Sequence, residues 1–197
     1  MTPGRLILAV IGIFIFMVIL VALLFGGNKK PATPGEALKP LPDYADTNAT
    51  VSFTTDGIIN GDEMHRGIRI TVSANQRSLD VLQGYNPRVI QSQTFVNNQE
   101  AYKVFLTAIA NAGFLTKSKK VPATAVETGQ CPLGFRYNYT LQDTGNDLSN
   151  LWSTSCGSKT GTSGGSTSLL STLFQRQIPN YSNLVSNVNL SATTTQP

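Results

Sequence analysis

One histidine, two cysteines and a short cluster of lysines carry most of the reactive chemistry open to this chain of 197 residues. His65 stands near Asp56, Asp62 and Glu63. An imidazole with two carboxylates can hold a metal or move a proton. This spacing, however, fits neither a zinc-binding helix nor a calcium loop, whose acidic residues alternate ahead of a glycine. A serine or cysteine nucleophile would need this same imidazole as its base, because there is no second one. His65 therefore reads as part of a solvated turn leading into a strand. Its neighbour Arg66 disfavours a bound cation, and His65→Ala is expected to change stability by no more than about 0.5 kcal/mol. No catalytic, cofactor-binding or metal-binding residue is assigned, and no cofactor is expected.

Cys131 precedes the first strand of a late hairpin and Cys156 ends its second. Antiparallel strands bring such positions together, so a disulfide is the natural reading, and it implies an oxidising compartment. Closing a loop of this length stabilises a fold by about 3 kcal/mol on the chain-entropy estimate. The alternative is a pair of unpaired structural thiols. The stretch Gly157-Ser158-Lys159-Thr160 lacks the earlier glycine and the buried parallel strand of a phosphate-binding loop, and reads as a flexible connection. Phe135, Tyr137 and Tyr139, with Trp152 nearby, could stack on sugar rings but read as core, since inward aromatics at period 2 bury area under a helix. Lys117, Lys119 and Lys120 read as a solvated loop. Their alternative role is a weak binding surface for anionic envelope polymers or lipid headgroups.

The elements that must position these residues follow from hydrophobic spacing. Val51 and Phe53 open a strand, Ile68, Ile70 and Val72 alternate with polar residues, and Leu79 and Val81 resume the alternation after a turn at residues 74–77. Residues 89–96 form a further strand. Asn97 starts a helix with Glu100 in its first turn, a face of Tyr102, Phe105, Leu106 and Ile109, and a stop at Gly113. Phe135 to Leu141 alternate, a turn follows at residues 143–147, and residues 151–156 make the last strand. A Gly/Ser-rich loop, residues 157–166, leads to a second helix with the face Leu169, Leu170, Leu173 and Phe174, ended by Pro179. This order predicts an α+β fold, an antiparallel sheet with two helices packed on it.

Residues 6–25 contain no charge, amide or hydroxyl. About 20 such residues in a helix rise roughly 30 Å, enough to span a bilayer. Residues 1–27 are therefore expected to be an uncleaved signal anchor in contact with lipid through residues 6–25. A cleavable signal peptide fits less well, because a cut after Gly27 would put Phe25 at the −3 position. Arg5 flanks one end and Lys29 and Lys30 the other, so the count of basic residues opposes export slightly. The cysteine pair points outward and carries more weight. Residues 28–48 read as a Pro-rich linker, 49–185 as one extracytoplasmic domain, and 186–197 as a disordered tail.

Thr, Ser, Asn and Gln supply the polar surface more than charge does: only 13% of residues are charged, against about 25% in soluble proteins. The formal net charge of +4 is scattered, so no nucleic-acid partner is expected.

The motifs Thr54-Thr55-Asp56-Gly57, His65-Arg66, Gln83-Gly84-Tyr85, Cys131-Pro132-Leu133-Gly134-Phe135-Arg136-Tyr137 and Trp152-Ser153-Thr154-Ser155-Cys156 resemble those of uncharacterised single-anchor exported proteins of Saccharibacteria and related candidate-phyla bacteria. That resemblance implies a location and no activity. The element order, with a helix ending Ala-Gly-Phe and a Leu-rich last helix, also resembles emfourin-type inhibitors of thermolysin-like metalloproteases, without a matching inhibitory motif. The expectation is a single-pass membrane protein whose C-terminal domain is a non-enzymatic binding or envelope-structural module with a protein or envelope-polymer partner. The alternatives are an inhibitor of an exported protease and an enzyme acting on envelope components.

Overall fold

The computed structural model describes residues 38–157 and 160–191. The expected membrane anchor, the first part of the linker and the end of the tail lie outside these residues. Among the described residues no helix is long and apolar enough to cross a membrane.

Six antiparallel strands form one sheet in the order β4-β3-β2-β1-β5-β6. They are β1 (Thr50–Asp56), β2 (Arg66–Ser73), β3 (Gln76–Gln83), β4 (Arg88–Val96), β5 (Arg136–Asp143) and β6 (Asn146–Thr154). The α+β expectation of an antiparallel sheet with helices holds. Helix α1 (Gln99–Asn111) follows β4, and α2 (Thr167–Gln175) and the short α3 (Tyr181–Leu184) follow β6. The α1 cap sits one residue later than expected: Asn98, in extended backbone, accepts from the amide of Ala101.

Alternation along the strands sorts the two faces. On one, Val51 lies between Val72 and Leu141, and Phe53 between Ile70 and Tyr139, all buried. Phe53 stacks on Phe174 of α2 with ring centroids 5.4 Å apart, and Phe105 of α1 meets Phe174 edge-on at 5.1 Å. The helices thus close the core over the central strands. The other face presents Ser52, Thr54, Thr71, Ser78, Thr94, Asn138 and Thr140, with Arg69 paired to Asp80 at 3.0 Å. Trp152 is on this second face, opposite Asn138, and not with the tyrosine row. It is buried because the loop before β5 folds over it, and its indole N–H donates to Ala125 O at 3.0 Å.

Both ends of the domain extend further than composition suggests. The second half of the expected linker forms a 3₁₀ helix, Leu41–Asp46, that buries Leu41, Tyr44 and Ala45 in the core. Pro42 suits the first turn because its fixed φ is already helical and its missing N–H has no partner to lose. At the other end Val188 and Leu190, expected in the disordered tail, pack against the core, and Leu190 O accepts from the amide of Ile58 at 3.0 Å. A few apolar side chains at the right spacing outweigh a polar average.

Candidate functional site

The three lysines are exposed, as a solvated loop predicts, and the first part of their segment is held in place. Gly164 N–H donates to Thr116 O and Ser118 N–H to Thr162 O, each at 2.7 Å, which pins the lysine segment antiparallel to the strand-like stretch before α2. That stretch runs close to the end of α1. Ser166 N–H donates to Ala112 O at 3.0 Å, and a Cβ on Gly165 would lie 2.5 Å from Gly113 O. Gly113 itself has a φ of +86°, so two glycines permit the crossing that sets α2 beside α1.

Between the lysine segment and the end of β6 lies a cleft of about 560 Å3. Lys117, Lys119 and Lys120 line it together with Ser153, Thr154 and Thr167. Its lining holds no Asp or Glu, and none of the three lysines pairs with a carboxylate among the described residues. Beneath it three hydroxyls close a triangle: Tyr139 Oη to Ser153 Oγ at 2.7 Å, Tyr139 Oη to Thr167 Oγ1 at 2.9 Å, and Ser153 Oγ to Thr167 Oγ1 at 2.9 Å. Burial raises the pKa of Tyr139 above the ordinary phenol value, against the opposing hydrogen bonds of Ser153 and Thr167, so the triangle stays protonated. Ser166 at the α2 N-cap makes no side-chain cap, and Thr167, the first residue of the helix, faces the cleft. The cleft therefore combines fixed positive charge, hydroxyl donors and the positive end of a helix dipole, a composition suited to anionic oxygen. Gly157 and Thr160 of the expected flexible connection also line it, while Ser158 and Lys159 lie outside the described residues.

Cys131 and Cys156 are joined, with a Cα–Cα distance of 5.6 Å, as their places around the β5–β6 hairpin predict. Gly134 makes room for the bridge, since a Cβ there would fall on Ser155 Oγ and 2.5 Å from Cys131 Sγ.

The reading of His65 as part of a solvated turn is corrected. The residue is 2% exposed. Its Nε2 lies 2.8 Å from Asp56 Oδ1, its Nδ1 lies 3.1 Å from Ile58 O, and Tyr85 stacks on the ring at 4.2 Å. Both nitrogens face oxygens inside the protein, so neither nitrogen is presented to an incoming substrate. The other Asp56 oxygen, Oδ2, accepts from Nε and Nη2 of buried Arg136, whose Nη2 also donates to Gly57 O. Glu127 Oε1 is 3.4 Å from Arg136 Nε and accepts from Asn138 Nδ2 at 3.1 Å. Arg136, Glu127 and Tyr85 were invisible as a group in the sequence. The β1–β5 register sets Asp56 opposite Arg136, while Tyr85 joins by stacking on His65 and Glu127 by its contacts with Arg136 and Asn138. Among the described residues no group of His, Cys, Asp and Glu has the arrangement of a metal site. Comparison of the chain with protein-family models, curated proteins and solved structures finds no match to any of the three.

Proposed function

We propose that this protein is a membrane-anchored, non-enzymatic binding module of the extracytoplasmic space, and that its lysine cleft takes an anionic envelope polymer. The observation that carries the reading is the cleft's lining, three lysines and several hydroxyls with no carboxylate. Polyphosphate-like chains supply repeated anionic oxygens to such a surface, and each exposed contact is weak alone, so a repeating ligand suits it better than a single small anion. The disulfide supports the outward location, because such bonds persist in oxidising compartments. The engaged nitrogens of His65 support a binding rather than a hydrolytic role.

The test is calorimetric titration of the full-length protein with poly(glycerol phosphate). Binding is expected at low ionic strength and should weaken steeply between about 0.05 and 0.5 M salt, as exposed charges are screened. The Lys117→Ala/Lys119→Ala/Lys120→Ala triple variant should lose about tenfold or more in affinity with an unchanged melting temperature. Equal binding by that variant would remove the cleft from consideration.

A further inference from the structure

A second cavity, of about 640 Å3, opens on the other face of the sheet and is lined by Asp56, Ile59, Tyr85, Glu127, Thr128, Gly129 and Arg136. Tyr85 is 48% exposed yet fully held. One face of its ring lies on His65, its hydroxyl donates to Asn60 O at 2.9 Å and accepts from Asn60 N–H at 3.0 Å, and its own amide donates to Asp62 Oδ1 at 2.7 Å. An exposed aromatic ring tied down at every polar atom is a rigid platform, and a ligand that lies on it loses no protein side-chain entropy.

The polar wall carries both signs. Asp56 spends its oxygens on His65 and Arg136. Glu127 engages Oε1 with Asn138 and Arg136, and Oε2 receives no hydrogen bond from a described residue. Arg136 is 4% exposed, and its Nη1 is buried without a hydrogen-bond partner among the described residues. A buried donor left unpaired costs about 1–3 kcal/mol, which a ligand oxygen recovers. The cavity thus offers one free carboxylate oxygen as acceptor, one guanidinium nitrogen as donor, the Thr128 hydroxyl and a flat apolar ring.

We propose that this cavity binds a neutral sugar ring. The two carboxylates repel an anion. A simple cation has no acceptor to give Arg136. A zwitterionic peptide end would need the guanidinium fork for its carboxylate, but Nε and Nη2 are already committed to Asp56 and Gly57. Adjacent ring hydroxyls both donate and accept, so one serves Glu127 Oε2 and its neighbour serves Arg136 Nη1, while the C–H face of the ring covers Tyr85. This cavity shares no lining residue with the lysine cleft.

The experiment is saturation-transfer NMR and calorimetry on the full-length protein with a panel of neutral probes: glucose, galactose, mannose, N-acetylglucosamine and their β-linked trimers. Alanylalanine, spermidine and citrate serve as the zwitterionic, cationic and anionic arms. A member of the neutral panel should bind with a Kd below about 10 mM, and 0.5 M salt should change that value less than about twofold. Tyr85→Leu keeps an apolar cover over His65 but removes the flat ring, and should weaken binding about tenfold. Glu127→Gln preserves the Oε1 acceptor and the fold while removing the charge, and should weaken it about threefold or more. No binding across the neutral panel, tighter binding of any charged probe, or sugar binding unchanged in both variants would overturn the proposal.

Discussion

Asp56 accepts from an imidazole on one oxygen and a guanidinium on the other, and both partners are almost fully buried. Removing one member of such a set strands the others, at a cost of about 3–5 kcal/mol for a buried charge pair. Asp56→Asn should therefore lower stability by about that amount in urea unfolding. His65→Ala should cost about 1–3 kcal/mol, because Asp56 Oδ1 loses its buried imidazole partner and Tyr85 loses the ring it stacks on. A surface turn, as the sequence suggests for His65, would show almost no change. Glu127 gives a pH signature. Burial is the largest cause raising its pKa, the nearby Asp56 charge adds to it, and the Asn138 hydrogen bond and the Arg136 charge oppose it. The folded protein then holds this proton more tightly than the unfolded chain. The associated stability is fully present below the unfolded carboxylate range and is lost as pH rises through the raised folded value. Glu127→Gln should flatten that decline in a series of melting curves taken from acid to neutral pH. The Asp56–Arg136 coupling is not legible in sequence because its partners lie 80 residues apart, and the nearer pairs, Asp56 with His65 and Glu127 with Arg136, meet only through the folded strands and loops that carry them.

Strands and helices were far more legible than the contacts between them. Alternation located the strands, and the Tyr102, Phe105, Leu106, Ile109 spacing located α1, because burying one face imposes those periods. The order in which strands pair is another matter, since β1 sits between β2 and β5 and no local pattern encodes that. Close approaches were equally hidden. Gly165→Ala would drive a Cβ into the backbone carbonyl of Gly113, so it should destabilise the domain by about 1–3 kcal/mol, as overpacking does, and should disturb the cleft beside it. The readout is thermal unfolding together with poly(glycerol phosphate) affinity, both of which should fall. Cys156→Ser should lower the melting temperature under non-reducing conditions, and a denatured wild-type sample should react with no thiol reagent before reduction.

Across the whole molecule, the two edges of the sheet are treated differently. Past the outer strand β6, Trp152 N–H donates to Thr162 Oγ1 and Ser163 N–H donates back to Trp152 O, so a loop covers that edge. The strand β4 at the other edge is exposed along almost its entire length. The disulfide joins the two flanks of the β5–β6 hairpin across a sequence separation of only 25. The pairing of β1 with β5, in contrast, joins residues that differ by 80 in number even at its closest hydrogen-bonded side chains. Contacts that close short loops form early, and those that close long ones wait. Loop-closure entropy then leads us to expect the β1–β4 meander and the β5–β6 hairpin to form ahead of their seam along β1, which pulsed hydrogen exchange during refolding would read as late protection of the β1 and β5 amides. Until that seam closes, Asp56 and Arg136 belong to separate pieces, and the buried ion pair acts as the latch between them.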